Sequence, residues 1–142
     1  MAQEFNPGFL IVRDLDYRLP RLLAYGSELN QVWTRLIENA VEAMNGHGKL
    51  TIRTRLDADH AVVEITDTGR GIPQEAVPHL FEPFFTLKPV SQVLGQGLGM
   101  GLHVAYRIVV NRHGGTIEAS SRTAETVFRV TLPLRNKEAY FV

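Results

Sequence analysis

The 142 residues include no cysteine, which excludes disulfides, thiolate metal sites and thiol catalysis and suits a reducing compartment. No apolar run approaches the roughly 18 residues that a membrane-spanning helix needs. The opening Met1-Ala-Gln-Glu-Phe-Asn6 has no basic stretch leading into an apolar one, so it does not read as a secretory signal. Excess charge of either sign is also missing. Fifteen Lys and Arg stand against fifteen Asp and Glu, and a formally neutral chain offers no electrostatic argument for nucleic acid or an anionic membrane surface. Internal repeats, low-complexity tracts and long linkers are lacking too. These absences lead us to expect a soluble, cytoplasmic chain, monomeric in isolation, with no nucleic-acid partner and no direct membrane contact.

What is present is an ordinary globular composition, 44% hydrophobic and 21% charged, at a length that can bury one core without staples. We expect a single domain over residues 1–142. Phe9 to Val12 and Arg21 to Ala24 read as strand-like pieces. Ser27 is a candidate N-cap for a helix whose apolar face is Leu29, Val32, Trp33, Leu36, Ile37, Ala40 and Met44, ending near Asn45-Gly46. Strands are expected at Leu50 to Arg55 and Ala61 to Ile65, a short helical turn from Pro73, and an aromatic packed loop at Phe81 to Phe85. Residues 86–99, rich in Gly and Pro and without periodicity, read as a mobile segment. A second helix spans about Met100 to Asn111 and stops at Gly114-Gly115. Strands at Thr116 to Ala119 and Val127 to Leu132 close the chain. Helix, two strands, helix, two strands predicts an α/β fold: a two-layer sandwich, one mixed sheet covered by helices on one face.

Three segments could carry chemistry. Gly95-Gln-Gly-Leu-Gly-Met-Gly-Leu102 precedes a helix, and glycines at 95, 97, 99 and 101 let backbone N–H groups surround an anion such as phosphate. It is neither a P-loop nor a dinucleotide fingerprint, because both the Gly-Lys-Ser/Thr ending and the spacing are absent. Asp67-Thr-Gly-Arg-Gly-Ile-Pro73 follows a buried strand. A carboxylate only accepts hydrogen bonds, so Asp67 favours a ring bearing an amino group, such as adenine; the plainer alternative is a tight turn that Asp67 caps. Asn39, on the polar edge of the first helix, could offer its amide oxygen to magnesium.

Together these segments resemble the gyrase–chaperone–histidine kinase–MutL ATPase superfamily, and within it the sensor histidine kinases. Gln31 to Met44 looks like the N box, Asp67 to Gly71 the first glycine box, Phe81 to Lys88 the F box and Gly97 to Leu102 the second glycine box. His113-Gly-Gly115 and Val127 to Pro133 also fit, so the likeness covers about residues 27–133. It implies a Bergerat-type sandwich binding ATP and Mg2+, with Asn39 as metal ligand and Asp67 as acceptor of the adenine amino group. Ala43 and Ile72 would line the nucleotide, and Gly69 and Gly71 would let the ring lie close. Lys88, Gly97, Leu98, Gly99, Met100, Gly101 and Leu102 would hold the phosphates, and Thr126 would support Asp67 through its hydroxyl or a water. Residues 86–96 would form a lid with Phe84 and Phe85 packing its hinge. The γ-phosphate would pass to a His on a dimerisation/phosphoacceptor domain, and onward to a response regulator.

Two departures stand out. Four residues before Asn39, where the superfamily usually has Asn, His or Glu, stands Arg35. A guanidinium has no lone pair for a metal and cannot serve as a base. Glu38 is about 100° around the helix from Asn39, so Arg35, Glu38 and Glu42 could equally form a surface ion-pair cluster of little energetic weight. Second, none of His47, His60, His79, His103 and His113 lies in a helical-hairpin context suited to accept phosphate. His103 and His113 read as structural, His47 and His60 as solvated, and Arg70, Arg107 and Arg112 as exposed charges. Three functions follow: a histidine kinase catalytic domain lacking its acceptor, a regulatory nucleotide-binding module disabled by Arg35, or a Ser/Thr kinase resembling anti-sigma-factor kinases.

Overall fold

The computed structural model describes residues 2–6, 9–17, 19, 26–85, 101–122 and 124–134. The expected strand at 21–24, the lid at 86–96, and Lys88, Gly97, Leu98, Gly99 and Met100 lie outside them. The sheet has six strands: β1 (Ala2–Asn6), β2 (Phe9–Asp14), β3 (Gly48–Asp57), β4 (His60–Asp67), β5 (Thr116–Arg122) and β6 (Glu125–Pro133). They lie in the order β1-β2-β3-β4-β6-β5. Only β2 and β3 run parallel; every other neighbouring pair is antiparallel. The sheet is mixed, as expected, and gains an edge strand, β1, that the sequence reading did not place.

Alternation decides which face is dry. In β6, Thr126, Phe128, Val130 and Leu132 are buried, whereas Glu125 and Arg129 are exposed. The inward residues meet α1 (Gly26–Ala43), whose buried stripe is Leu29, Val32, Leu36 and Ala40, at the three- and four-residue steps of one helical face. The helix begins at Gly26, so Ser27 lies within it rather than capping it. It ends where expected: Asn45 and Gly46 take left-handed φ of 52° and 91°, and the Asn45 N–H donates to the Glu42 carbonyl at 3.1 Å. The second helix, α2, is α-helical over Gly101–Tyr106 and continues as a π-helical stretch, Arg107–Arg112. It adds Ala105, Ile108 and Val109 to the same core. Gly114, at φ 66°, and Gly115 close it by donating to the Val110 and Val109 carbonyls. Helices cover one face of a mixed sheet, the two-layer α/β sandwich expected. No helix among the described residues is long and apolar enough to cross a membrane.

On the opposite face, charges alternate across five strands. Asp14, Arg53, Glu64, Arg129 and Glu118 stand in one register row. Arg53 Nε donates to Asp14 Oδ2 at 3.0 Å, and Arg129 donates to the buried Glu64 at 2.9 Å from Nε and 2.8 Å from a terminal nitrogen.

Candidate functional site

Asp67 is the last residue of β4, flanked in register by Leu50 of β3 and Thr126 of β6. It shares the inward face with Ile65, so its carboxylate sits at the end of the apolar layer, only 2% exposed. One oxygen, Oδ1, accepts the Gly69 N–H at 2.8 Å. The other has no protein donor among the described residues. Burial pushes the Asp67 carboxyl above its ordinary value of 3.8, against the opposing pull of the Gly69 N–H and the positive charge of Arg70. The carboxylate is nearly covered, and its uncommitted oxygen is the part that still meets the outside, which marks it as a ligand-facing group.

The loop after Asp67 is fastened at three points. Gly69 lies on the end of α1: a Cβ there would stand 2.5 Å from the Ala43 carbonyl oxygen. The Arg70 N–H donates to that same carbonyl at 3.2 Å. Its bareness is therefore taken up by the helix end. This contact brings Ala43 to the loop that starts at Asp67, with Asn39 one turn earlier on the same helix face. On the second side, Thr68 Oγ1 accepts the Lys49 N–H at 2.9 Å. On the third, Gly71 turns with φ 79° and the Ile72 N–H donates to Ser121 Oγ at 2.8 Å. Ser121 Oγ is also 3.1 Å from Thr126 Oγ1. The Thr126 hydroxyl is therefore engaged with Ser121, and its link to Asp67 is adjacency across the ladder. Sequence reasoning missed Ser121; a lone Ser in a strand carries no signal that distinguishes it from its neighbour Ser120.

Asn39 and Ala43 are half-buried, whereas Arg35 is exposed. The Arg35 guanidinium lies 3.7 Å from Glu38 Oε1, the surface pair anticipated. Its stem also runs beside the start of α2, with Cδ 3.5 Å from where a Gly101 Cβ would stand. Leu102 and Ile72 are partly buried and pack on the core.

In the aromatic loop, the Phe81 ring stacks on Tyr106 at 5.9 Å and meets Phe128 edge-on at 6.2 Å. Phe85 packs against the core, but Phe84 is 67% exposed at φ 66°. The expectation that Phe84 packs a hinge is corrected for the described residues, where its ring faces solvent; the lid itself lies outside them. His103 Nδ1 is 3.0 Å from the Phe81 carbonyl and buried His113 Nδ1 is 2.9 Å from the Ile108 carbonyl, both structural. His47 and His60 are exposed. Arg112 is more than an exposed charge: it chelates Glu28 at 2.8 to 3.2 Å, joining the start of α1 to the end of α2 and holding the Glu28 carboxyl below its usual range.

The site thus sets a buried, acceptor-only carboxylate at a strand end beside a glycine loop docked on the helix that carries Asn39. The pattern described as histidine kinase-, DNA gyrase B- and HSP90-like ATPase matches residues 25–136, and the chain belongs to that family. Within it the chain is an ATP-binding catalytic domain of the histidine kinase type. It is 35% identical to the sensory histidine kinase/phosphatase NtrB of Rhodobacter capsulatus, over 94% of this chain and 39% of that protein. It is 32% identical to sporulation kinase E of Bacillus subtilis, over 86% of this chain and 16% of that one. The chain thus spans two-fifths or less of the length of these two relatives. The fold agrees with the catalytic domain of histidine kinase ThkA, with a TM-score of 0.78 and 29% identity over 89% of this chain and 81% of that one. ThkA is also known in complex with the response regulator protein TrrA; that structure matches with a TM-score of 0.74 and 25% identity, over 92% of this chain and 35% of that one.

Proposed function

We propose that this domain binds ATP with Mg2+ and presents the γ-phosphate to a histidine on a separate dimerisation/phosphoacceptor domain, from which a response regulator takes it. The observation that carries the reading is Asp67. It is buried, holds one oxygen on the Gly69 N–H and keeps the other for a donor such as the adenine amino group. Guanine presents a carbonyl oxygen at the corresponding position, which would set two acceptors against each other.

The role of each group follows. Ala43 and Ile72 flank the ring beside Gly69 and Gly71, and Thr126 holds the β6 side through Ser121. Lys88 and the segment from Gly97 to Leu102 take the phosphates. Magnesium needs only one or two protein oxygens beside phosphate and water, and Asn39 would supply one. The ion would neutralise charge on the phosphates. In the transfer the bond from the γ-phosphorus to the bridging oxygen breaks, a bond to the acceptor imidazole nitrogen forms, the ring N–H proton is released and ADP leaves. Positioning and charge neutralisation supply the catalysis, so this chain needs no covalent nucleophile.

A second reading, a regulatory module without phosphotransfer, draws on Arg35, one helical turn before Asn39, where a metal ligand or general base would be expected. The deciding experiment is calorimetric titration with ADP and GDP, followed by labelled ATP with and without a partner acceptor domain. ADP should bind at least about ten-fold more tightly than GDP, the worth of a hydrogen bond to a charged group. Label should appear on the partner histidine and not on this chain. Equal affinities for the two nucleotides would refute the assignment of Asp67; binding without transfer would favour the regulatory reading.

A further inference from the structure

The glycine loop hangs between two anchors. One is the buried Asp67 itself; the other is Ser121, on the edge strand of the sheet. Three bonds converge on Ser121: the Ile72 N–H donates to its hydroxyl at 2.8 Å, its hydroxyl pairs with Thr126 at 3.1 Å, and Gln74 Nε2 donates to its carbonyl at 2.8 Å. In register, Asp67, Thr126 and Ser121 form one row across β4, β6 and β5. The loop therefore leaves the row at Asp67 and is returned to it at Ser121. It passes so close that a Cβ on Gly71 would stand 3.2 Å from Ser121 Oγ. Between the anchors, the Gly69-to-Ile72 backbone is hemmed in by the end of α1 on one side and Ser121 on the other.

We propose that Ser121 is a positioning residue that fixes the Gly69-to-Ile72 backbone relative to Asp67 and thereby sets how strongly the site selects an amino-bearing purine. This deepens the nucleotide reading above and rests on it. A ring lying on this loop has its edge aimed at Asp67 only while the loop stays in its place. Without the Ser121 hydroxyl, the Ile72 N–H loses its acceptor and the loop can drift on the side away from α1. The carboxylate then meets the amino group at poorer distance and angle, and hydrogen bonds weaken steeply with misalignment. The proposed phosphate contacts lie outside this loop, so they should change less.

The test compares ATP with inosine triphosphate, which carries a carbonyl oxygen in place of the amino group, by calorimetry on the full 142-residue chain. Ser121→Ala should cost about three- to tenfold in ATP affinity, the worth of one neutral hydrogen bond, with inosine triphosphate affinity changed less than about twofold. The preference therefore shrinks. Ser121→Thr, which restores a hydroxyl, should restore it. Gln74→Ala, at an exposed position, loosens the same anchor without threatening the fold and should move the ratio the same way by about twofold. A fall in melting temperature with an unchanged ATP-to-inosine preference in both variants, or equal losses for both nucleotides, would overturn the proposal. A wild-type chain that does not discriminate between the two would sink the Asp67 reading instead, before any variant is made.

Discussion

Gly69→Ala adds one methyl where α1 and the glycine loop meet. The new Cβ would lie 2.5 Å from the Ala43 carbonyl oxygen and 2.6 Å from its carbon, both backbone atoms, and contacts under 3.0 Å are essentially never seen. The loop must retreat by at least half an ångström or the last turn of α1 must unwind. Overpacking of this kind costs about 1–3 kcal/mol, and losing the Arg70 N–H bond to Ala43 adds about 0.5–1.5 kcal/mol. Reduced freedom of the unfolded chain returns about 0.4–1 kcal/mol, leaving a net loss near 2 kcal/mol. At this chain length that is a fall in Tm of roughly 6–8 °C. Because Asp67 Oδ1 is held by the Gly69 N–H, ATP affinity should fall by about ten-fold or more as well. Gly101→Ala is the control: among the described residues its Cβ meets only the Arg35 side chain, at 3.5 Å, so its Tm should stay within about 3 °C of wild type or rise. Scanning calorimetry and ADP titration of both proteins decide it. A Gly69→Ala protein that melts and binds like wild type would refute the docking argument.

Other outcomes follow from the same geometry. Burial raises the Asp67 carboxyl above 3.8, so the folded state holds its proton to higher pH than the unfolded chain and stability from this group falls as pH rises through that window. Asp67→Asn should therefore match or exceed wild type in Tm at neutral pH without nucleotide, while binding ATP about ten- to a hundred-fold more weakly. Wild-type ATP affinity should itself decline on acidification, starting above the ordinary range for Asp, as Asp67 gains the proton; a flat profile through that range would contradict it. For Arg35, whose stem lies beside Gly101, substitution by Asn should increase the gain in ATP affinity that magnesium gives over EDTA, since it trades a cation for an oxygen beside Asn39. An unchanged magnesium dependence would leave Arg35 as only the surface partner of Glu38. On the outer face, Arg129→Ala should destabilise more than Glu64→Ala in urea unfolding. The former strands a carboxylate 11% exposed, the latter a guanidinium 44% exposed that water can resolvate.

Local periodicity made the layers legible: the stripe from Leu29 to Met44 and the alternation in β6 each need only a few neighbours to express themselves. β1 escaped because Ala2 to Asn6 carries no clean alternation, and pairing with β2 at the sheet edge comes from long-range hydrogen bonding. The Pro7-Gly8 dipeptide was the one sequence hint of a turn there. The π-helical stretch from Arg107 to Arg112 was invisible for a like reason. It ends where the chain returns to the sheet, with Gly115 so close that a Cβ there would stand 2.2 Å from the Thr131 carbonyl oxygen.

By itself the sequence determined the family, the order of the elements, and Asp67 and Asn39 as the residues most worth watching, because those are properties of residue type and spacing. Tertiary structure alone decided what Gly69 and Gly71 are for and who holds the loop. Gly69 is bare because α1 ends against it, Gly71 turns beside Ser121, and the Thr126 hydroxyl is spent on Ser121. Arg35 reaches both Glu38 and the start of α2, and Arg112 clamps Glu28 from 84 residues away. These are contacts between elements distant in the chain, set by how the helices lie on the sheet, and no local pattern encodes them.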